Sequence, residues 1–171
     1  MRLWGNTVVV MFAIIGVIAS IQHLRGQDAT PLAGATLDHV GIVTRDVDKT
    51  VKMFEQTFGI TVPAAKETGP LLLPGEKPGT AQYKLKFTRA QIGNLTVELL
   101  QPTVGTGPHK DHLDKFGPGM HHVAFKVQDP PAVLKYLQGR GGKLTLPNLY
   151  VDMKDDLGFT LEVAGPPRPA Q

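Results

Sequence analysis

Apolar and polar positions alternate along the chain in a pattern that occurs twice. Residues 38–60 (DHVGIVTRDVDKTVKMFEQTFGI) align without a gap with residues 121–143 (HHVAFKVQDPPAVLKYLQGRGGK). In each copy, an apolar run that follows a histidine predicts a strand, and apolar residues at helical spacing then predict a helix. The chain is therefore expected to contain two modules that begin in the same way.

Both predicted helices have recognisable ends. Asp46 and Asp129 precede the first turns, where a carboxylate can accept hydrogen bonds from free N–H groups. Pro130 and Pro131 occupy positions that tolerate a missing N–H group, and both helices are expected to stop at glycines. The apolar face of the first helix comprises Val47, Val51, Phe54 and Phe58, and that of the second comprises Val133, Leu134 and Leu137.

The two copies also end alike. Residues 95–102 (LTVELLQP) align with residues 159–166 (FTLEVAGP), and each segment is a short β-rich run with one glutamate among apolar neighbours. The first copy has a longer middle, which includes the Gly/Pro-rich stretch 66–80. The order strand, helix and several strands is thus predicted twice, with chance similarity between short amphipathic segments as the alternative.

Each copy contributes one histidine on its first strand and one glutamate on its last. Because side chains alternate along a strand, His39 and Glu98 should face away from the first helix, and His122 and Glu162 away from the second. If the modules pair, these side chains can converge on a divalent ion (Zn, Ni, Co, Mn or Fe), since such ions bind imidazole nitrogen and carboxylate oxygen. Hydrogen-bonded histidines and salt-bridged glutamates are the alternative.

Three other histidines are expected to be structural. His121 aligns with Asp38, so it should point to the opposite face from His122. His109 and His112 are three residues apart, a spacing compatible with a second metal site. The favoured interpretation of this stretch is a solvated helical turn that links the two modules.

Composition excludes several classes of function. The 171 residues carry a net charge of +3, and no Lys/Arg block is interleaved with aromatic residues, so no nucleic-acid partner is expected. The chain contains no cysteine, which excludes a thiolate nucleophile, Cys-ligated zinc and iron–sulfur clusters.

The N-terminal residues differ from the rest of the chain. Residues 8–21 form an uncharged apolar run, which suits the core of a signal peptide and is short for a membrane span of roughly 20 residues. We interpret residues 1–27 as a signal peptide or an uncleaved membrane anchor, with a buried core helix as the alternative, and 28–35 as a linker. The domain at 36–166, followed by a tail at 167–171, is then expected to be exported or anchored outside the cytoplasm.

Residues 36–165 resemble the vicinal oxygen chelate superfamily. The stretches LDHVGIVTRDVDKTVKMFEQTFGI and GPGMHHVAFKVQD are most similar to methylmalonyl-CoA epimerase, and His39, Glu98, His122 and Glu162 match the His-Glu-His-Glu ligand pattern of bacterial glyoxalase I. The resemblance implies an α+β fold in which two tandem βαβββ modules, at 36–104 and 118–165, form a half-barrel metal cleft. It also implies a small-molecule carbonyl or thioester substrate and a possible homodimer.

The resemblance implies a mechanism as well. A metal that chelates neighbouring substrate oxygens polarises a carbonyl and stabilises the enediolate that forms when the adjacent proton leaves. A carboxylate takes that proton and returns it. Glu162 matches the position that this superfamily uses as both ligand and base, so it is the first choice, and Glu98 is the second.

One difference from the epimerases limits the type of reaction that the sequence predicts. They carry an extra catalytic glutamate on a middle strand of the first module, but residues 81–87 (AQYKLKF) contain no acid. The nearest acids are Glu67 and Glu76, in an irregular segment. The sequence therefore favours a one-base isomerase or lyase over a two-base epimerase. An Fe(II) dioxygenase and a non-enzymatic binding module of the same fold are the alternatives.

Overall fold

The computed structural model describes residues 30–147 and 149–166. The predicted leader at 1–27 and the tail at 167–171 lie outside the described residues. Among the residues that are described, no helix combines the length and the apolar character needed to cross a membrane.

Within these ranges, strands and helices follow each other in the order that the repeat predicts. The strands are β1 (Thr36–Val43), β2 (Lys66–Glu67), β3 (Lys84–Ile92), β4 (Leu95–Val104), β5 (Gly119–Lys126), β6 (Lys143–Leu146), β7 (Tyr150–Asp152) and β8 (Thr160–Ala164). The helices are α1 (Val47–Phe58), α2 (Pro108–Phe116), α3 (Pro130–Gln138) and α4 (Lys154–Leu157). One βαβββ module therefore runs from β1 to β4 and includes α1, and the other runs from β5 to β8 and includes α3.

The strands of both modules form one sheet in the order β2-β3-β4-β1-β5-β8-β7-β6. The first strand of each module pairs in parallel with the last strand of the same module, β1 with β4 and β5 with β8. The two modules meet where β1 pairs antiparallel with β5. The sheet curls into a half-barrel, and this α+β architecture confirms the predicted fold.

The helix ends have the predicted chemistry. The Asp46 carboxylate accepts a hydrogen bond from the Lys49 N–H group at 2.9 Å, and the Asp129 carboxylate accepts one from the Ala132 N–H group at 3.1 Å. The first helix ends at Gly59, whose φ of 64° is left-handed and favours glycine. Local sequence thus fixes where α1 and α3 begin and where α1 ends.

Helix α1 packs on one face of the sheet. Val47, Val97 and Leu99 are buried there, and Ile42 and Phe54 pack against them. Phe58 at the last turn is 48% exposed, so the predicted apolar face is shorter than expected. Because Val97 and Leu99 face the helix, Glu98 between them faces the other side of the sheet.

Candidate metal centre

The structure brings together all four residues that the repeat predicts. The ligand atoms of His39, Glu98, His122 and Glu162 lie within 4.8 Å of one another, and all four residues are buried. The Nε2 atoms of His39 and His122 are 3.2 Å apart. Glu162 Oε2 lies 3.3 Å from His39 Nε2 and 3.1 Å from His122 Nε2. Each module therefore supplies one nitrogen and one oxygen donor to a shared point.

Strand register explains this convergence. His122 on β5 pairs with Gly41 on β1, and Gly41 pairs with Glu98 on β4. A Cβ atom added to Gly41 would lie 2.0 Å from Cε1 of His122, so the imidazole occupies the space that a side chain at Gly41 would fill. The second residue after the histidine of the LDHVGI stretch is therefore glycine, because the histidine of the other module lies across it.

The donor set fits a divalent cation. Its two carboxylates carry two negative charges that face two imidazoles in a buried site, which matches the charge of such an ion. Glu162 Oε2 is buried and has no hydrogen-bond partner among the described residues, although the histidine nitrogens are near. A buried carboxylate oxygen without a hydrogen bond is costly unless a further group satisfies it.

The pKa shifts at the centre reflect the same charges. Burial lowers the pKa of His39, but the close contacts and negative charges of Glu162 and Glu98 outweigh burial and raise it to about 10. Burial raises the pKa of Glu162, yet its close contacts with His122 and His39 outweigh this and lower it below its ordinary value. In the metal-free protein, a proton on His39 therefore partly neutralises the carboxylates, and a metal ion must displace it.

Charged side chains support both ligands of the first module. Asp38 Oδ2 lies 2.9 Å from His39 Nδ1, so His39 can donate to this carboxylate while Nε2 points to the centre. The Arg89 Nε–H group donates to Glu98 Oε1 at 3.0 Å. A carboxylate behind a ligand histidine fixes its tautomer and its ring orientation.

The second module places a histidine where the first has Asp38. The prediction that His121 points away from His122 is wrong, because the pairing moves from Gly41–His122 to Ile42–Met120 and leaves His121 as an extra, unpaired residue. Such a bulge interrupts the alternation of side chains. His121 is consequently buried, and its Nδ1 lies 3.0 Å from Nδ1 of His122. Asp38 is likewise the extra residue at the register shift in β1.

The expected solvated turn at 108–116 is wrong for His109. This stretch forms α2, and His109 is fully buried, with Nδ1 2.9 Å from the Tyr83 hydroxyl and Nε2 3.4 Å from the Tyr150 hydroxyl. Burial lowers the pKa of His109 to about 3, so the imidazole is neutral. His112, on the same helix, is only partly buried.

Sequence reasoning missed two residues at the centre, Tyr150 and Arg89. Tyr150 lies on β7 opposite Glu162 on β8, and its ring centroid is 4.9 Å from that of His122. Burial raises the pKa of Tyr150 well above its usual value, so its hydroxyl stays protonated. The sequence signal for Tyr150 is the strand-like stretch LYVD before the last strand.

The two unplaced acids lie elsewhere. Glu67 is exposed on β2, at the edge of the sheet. Glu76 Oε2 accepts a hydrogen bond from the Leu73 N–H group at 2.7 Å within its own loop. Neither residue belongs to the group of side chains at the metal centre.

Comparison with protein families gives one match over most of the domain. The sequence model described as "Glyoxalase/Bleomycin resistance protein/Dioxygenase superfamily" matches residues 38–159. A curated relative from Bacillus subtilis (strain 168), "Uncharacterized protein YqjC", is 27% identical over 89 residues. The aligned part covers 52% of this chain and 55% of that protein, so the chain spans about half the length of the relative.

Solved structures with a similar fold include methylmalonyl-CoA epimerases. The enzyme from Mycobacterium tuberculosis superposes with a TM-score of 0.55 at 21% identity, over 77% of this chain and 87% of that one. A variant of the Streptomyces coelicolor enzyme in complex with 2-nitronate-propionyl-CoA gives 0.54 at 22% identity, over 76% of this chain and 96% of that one. At this level of identity, the likeness shows the fold.

Proposed function

We propose an enzymatic, metal-dependent function for this chain, which belongs to the glyoxalase/bleomycin resistance protein/dioxygenase superfamily. The proposed reaction is an isomerisation or lyase reaction that begins with removal of a proton next to a carbonyl group. The observation that carries the proposal is the convergence of two imidazoles and two carboxylates on one buried point, with Glu162 Oε2 lacking a hydrogen bond.

His39, Glu98, His122 and Glu162 would hold the ion. A divalent ion bound there would supply a Lewis acid that polarises the substrate carbonyl and stabilises negative charge next to it. Asp38 would keep the His39 proton on Nδ1, so that Nε2 presents a lone pair. Removal of the substrate proton would then require, in addition, a base at the centre.

Glu162 is the base that the geometry favours. Glu98 Oε1 is already held by the Arg89 Nε–H group, which draws electron density from this carboxylate and fixes its position. Among the described residues, no lysine or arginine pairs with Glu162, whose neighbours are the two histidines that would also bind the ion. We therefore assign proton transfer to Glu162 and mainly ligand binding to Glu98.

A single base restricts the outcome of the reaction. Neither Glu67 nor Glu76 lies at the centre, and residues 81–87 contain no acid that could serve as a second base. One base can remove a proton and return it to the same face, at the same carbon or at a neighbouring one. The proposal is therefore isomerisation or elimination rather than racemisation by two opposed bases.

The substrate class is proposed from the fold and from the neighbours. Two of the similar structures are epimerases whose names specify a CoA thioester, and they support a small carbonyl compound or thioester as substrate. If residues 1–27 export the domain, as the sequence predicts, a small carbonyl compound without a CoA group becomes the better candidate. A homodimer is a further expectation from relatives.

Hydrogen exchange tests this proposal without knowledge of the product. Untagged protein loaded with Zn²⁺, Ni²⁺, Co²⁺ or Mn²⁺ would be incubated in D₂O with a panel of 2-keto aldehydes, hydroxy ketones and acyl thioesters. We expect metal-dependent deuterium incorporation next to the carbonyl, measured by NMR, which Glu162→Gln reduces by about 10²–10⁴-fold. Exchange that proceeds equally in the Glu162→Gln variant would contradict the assignment.

An Fe(II) dioxygenase is the second candidate, and the Arg89–Glu98 contact favours it. Glu98 Oε2 is farther from the histidines than Glu162 Oε2 is, at 3.4 Å from His39 Nε2 and 3.8 Å from His122 Nε2. If Arg89 retains Glu98, then His39, His122 and Glu162 form the two-histidine, one-carboxylate set of non-haem Fe(II) enzymes. Protein loaded with Fe(II) under anaerobic conditions would be mixed with a catechol in the presence of oxygen. Oxygen uptake would support the dioxygenase, and no uptake would exclude it.

A further inference from the structure

A second group of potential metal ligands lies beside the first. Five of the six histidines of the chain are His39, His109, His112, His121 and His122, and neighbouring rings among them have centroids between 4.4 and 6.1 Å apart. Within this cluster, ligand atoms of His109, His121 and His122 lie within 4.8 Å of one another, and all three residues are buried. The first centre uses only His39 and His122 of these five.

One of these nitrogen atoms has no assigned role. His121 Nε2 is buried without a hydrogen-bond partner among the described residues, and His121 as a whole is 1% exposed. His121 Nδ1 faces Nδ1 of His122 at 3.0 Å, so only one of the two atoms can carry a hydrogen. This bulge points a polar ring into the core and leaves one of its nitrogens without a hydrogen bond. Such an arrangement lowers stability if it has only a structural role.

The orientation of His122 allows it to serve both groups. Its Nε2 atom faces His39 and Glu162, while its Nδ1 atom faces His121. An imidazole that loses its remaining N–H proton has a lone pair on each nitrogen and can bind one ion on each side. His122 could therefore belong to two metal sites at once.

The surroundings of the second group suit a borderline transition metal. The His109 ring lies between the hydroxyl groups of Tyr83 and Tyr150, which are 2.9 and 3.4 Å from its two nitrogens. Each of the three rings offers one nitrogen that lies within 4.8 Å of the nitrogens offered by the others. Imidazole donors favour Zn²⁺, Cu²⁺ and Ni²⁺ over Mg²⁺ or Ca²⁺.

A cavity lies near this group. His112 lines a cavity of about 360 Å³ together with Asp111 and Asp152, among others. The ring centroid of His112 is 5.3 Å from that of His121, and His112 Nδ1 has no hydrogen-bond partner among the described residues. The second group is therefore close to a cavity that has carboxylates in its wall.

We propose that His109, His121 and His122 form a second site for a divalent transition-metal ion, and that His122 bridges this ion and the ion of the first centre. Occupation of both sites would release the ring proton of His122 and the proton on His39 to solvent, and the nitrogen of His109 that binds the ion would give up its hydrogen bond with a tyrosine hydroxyl. The proposal goes beyond the proposed function, which needs only the first centre.

Metal counting tests the proposal. Untagged, chelator-treated protein would be titrated with Zn²⁺ against a chromophoric chelator, and bound ions would be counted by native mass spectrometry. We expect two equivalents for the wild type and one for each of His121→Gln, His109→Gln and His39→Gln. The control His112→Gln should retain two, because His112 is outside the ligand group. A His121→Gln variant that still binds two ions would overturn the proposal.

The same variants separate this site from the proposed function. A wild type that binds a single ion, lost in His39→Gln and retained in His121→Gln, would overturn the second site and leave the first. A single ion lost in His121→Gln and retained in His39→Gln would support the second site and contradict the first. No bound ion would overturn both.

The bridge has a spectroscopic signature that does not depend on any variant. In protein loaded with two equivalents of Cu²⁺, an imidazolate bridge couples the two unpaired electrons. We expect the electron paramagnetic resonance signal of isolated Cu²⁺ to be mostly lost, and to return when only one equivalent is added. Two equivalents that give twice the uncoupled signal would exclude a shared His122.

Discussion

The two modules place the same pair of ligands in the same positions but support them with different chemistry. In the first module, a carboxylate lies behind His39 and a guanidinium lies against Glu98. In the second, the imidazole of His121 lies behind His122, and one oxygen of Glu162 has no hydrogen bond among the described residues. Duplication thus accounts for the geometry of the centre, and the difference between the modules is the basis of the roles that we propose for Glu98 and Glu162.

The strongest test of this comparison concerns the two glutamates. Glu162→Gln should reduce proton exchange by about 10²–10⁴-fold, because it removes the base. Glu98→Gln should reduce it less at equal metal occupancy, because Glu98 is mainly a ligand. Initial rates divided by the bound metal, counted by mass spectrometry, make the two variants comparable. Equal losses would show that the modules do not differ in this role.

Gly41→Ala tests the contact between the modules. The added Cβ atom would lie 2.0 Å from the His122 ring and must displace it. Overpacking of this kind costs about 1–3 kcal/mol, and the upper value corresponds to roughly 100-fold weaker metal binding. Gly119→Ala on β5 is the matched control, since its Cβ would meet nothing within 4 Å. Calorimetric titration of both variants should show weakening only for Gly41→Ala.

Asp38→Asn tests the support behind His39. The amide keeps the shape of the carboxylate but removes the charge that stabilises an N–H group on His39 Nδ1, so metal affinity should fall by about 10–100-fold. Asp48→Asn is the control, because Asp48 is exposed and pairs with Lys86 away from the centre. Zn²⁺ competition titrations give both affinities. If Asp38→Asn binds metal as tightly as the wild type, the first module has no supporting carboxylate.

The buried histidines predict a pH dependence of stability in the metal-free protein. Burial lowers the pKa of His109 to about 3 from an ordinary 6.5, and it also lowers that of His121. Below pH 6.5 the unfolded chain therefore binds protons that the folded protein does not, and stability should fall with falling pH. Each of these histidines contributes up to about 1.4 kcal/mol per pH unit.

Other titratable groups at the centre do not mask the effect of these histidines between pH 6.5 and pH 5.0. His39, whose pKa is raised to about 10, stays protonated in the folded protein over this range, and its contribution is common to the wild type and the variants compared below. The pKa values of Glu98 and Glu162 are lowered from 4.5, so these groups act only at lower pH. The free energy of unfolding in urea should differ less between pH 6.5 and pH 5.0 for His109→Gln than for the wild type. Lys110→Gln, on the same helix, should give the wild-type difference.

Local sequence patterns predicted the fold and the four converging residues well. The helix caps at Asp46 and Asp129, the strand alternation around Glu98 and the aligned histidines depend on neighbours in the chain, and the repeat showed how two such units pair. The structure confirms that fold and brings the four residues together. Their roles as ligands and base stay predictions.

The rest of the centre depends on contacts between strands that are distant in sequence. His121 was assigned to the wrong face because its direction is set by a bulge against β1, and strict alternation along β5 cannot show a bulge. Burial of His109 depends on α2 packing near Tyr83 and Tyr150, which lie 26 and 41 residues away. The pairs Asp38–His39 and His121–His122 align in the repeat, and this was the signal for their similar bulges.

The most direct test of the central claim is a crystal structure of the untagged protein with one equivalent of Zn²⁺, measured at the zinc absorption edge. The account predicts a single anomalous peak about 2.0–2.2 Å from Nε2 of His39, Nε2 of His122 and at least one oxygen of Glu162. A fourth contact to Glu98 would favour the isomerase or lyase assignment. Zinc bound away from these residues, at full occupancy, would contradict the claim that the two modules share one metal ion.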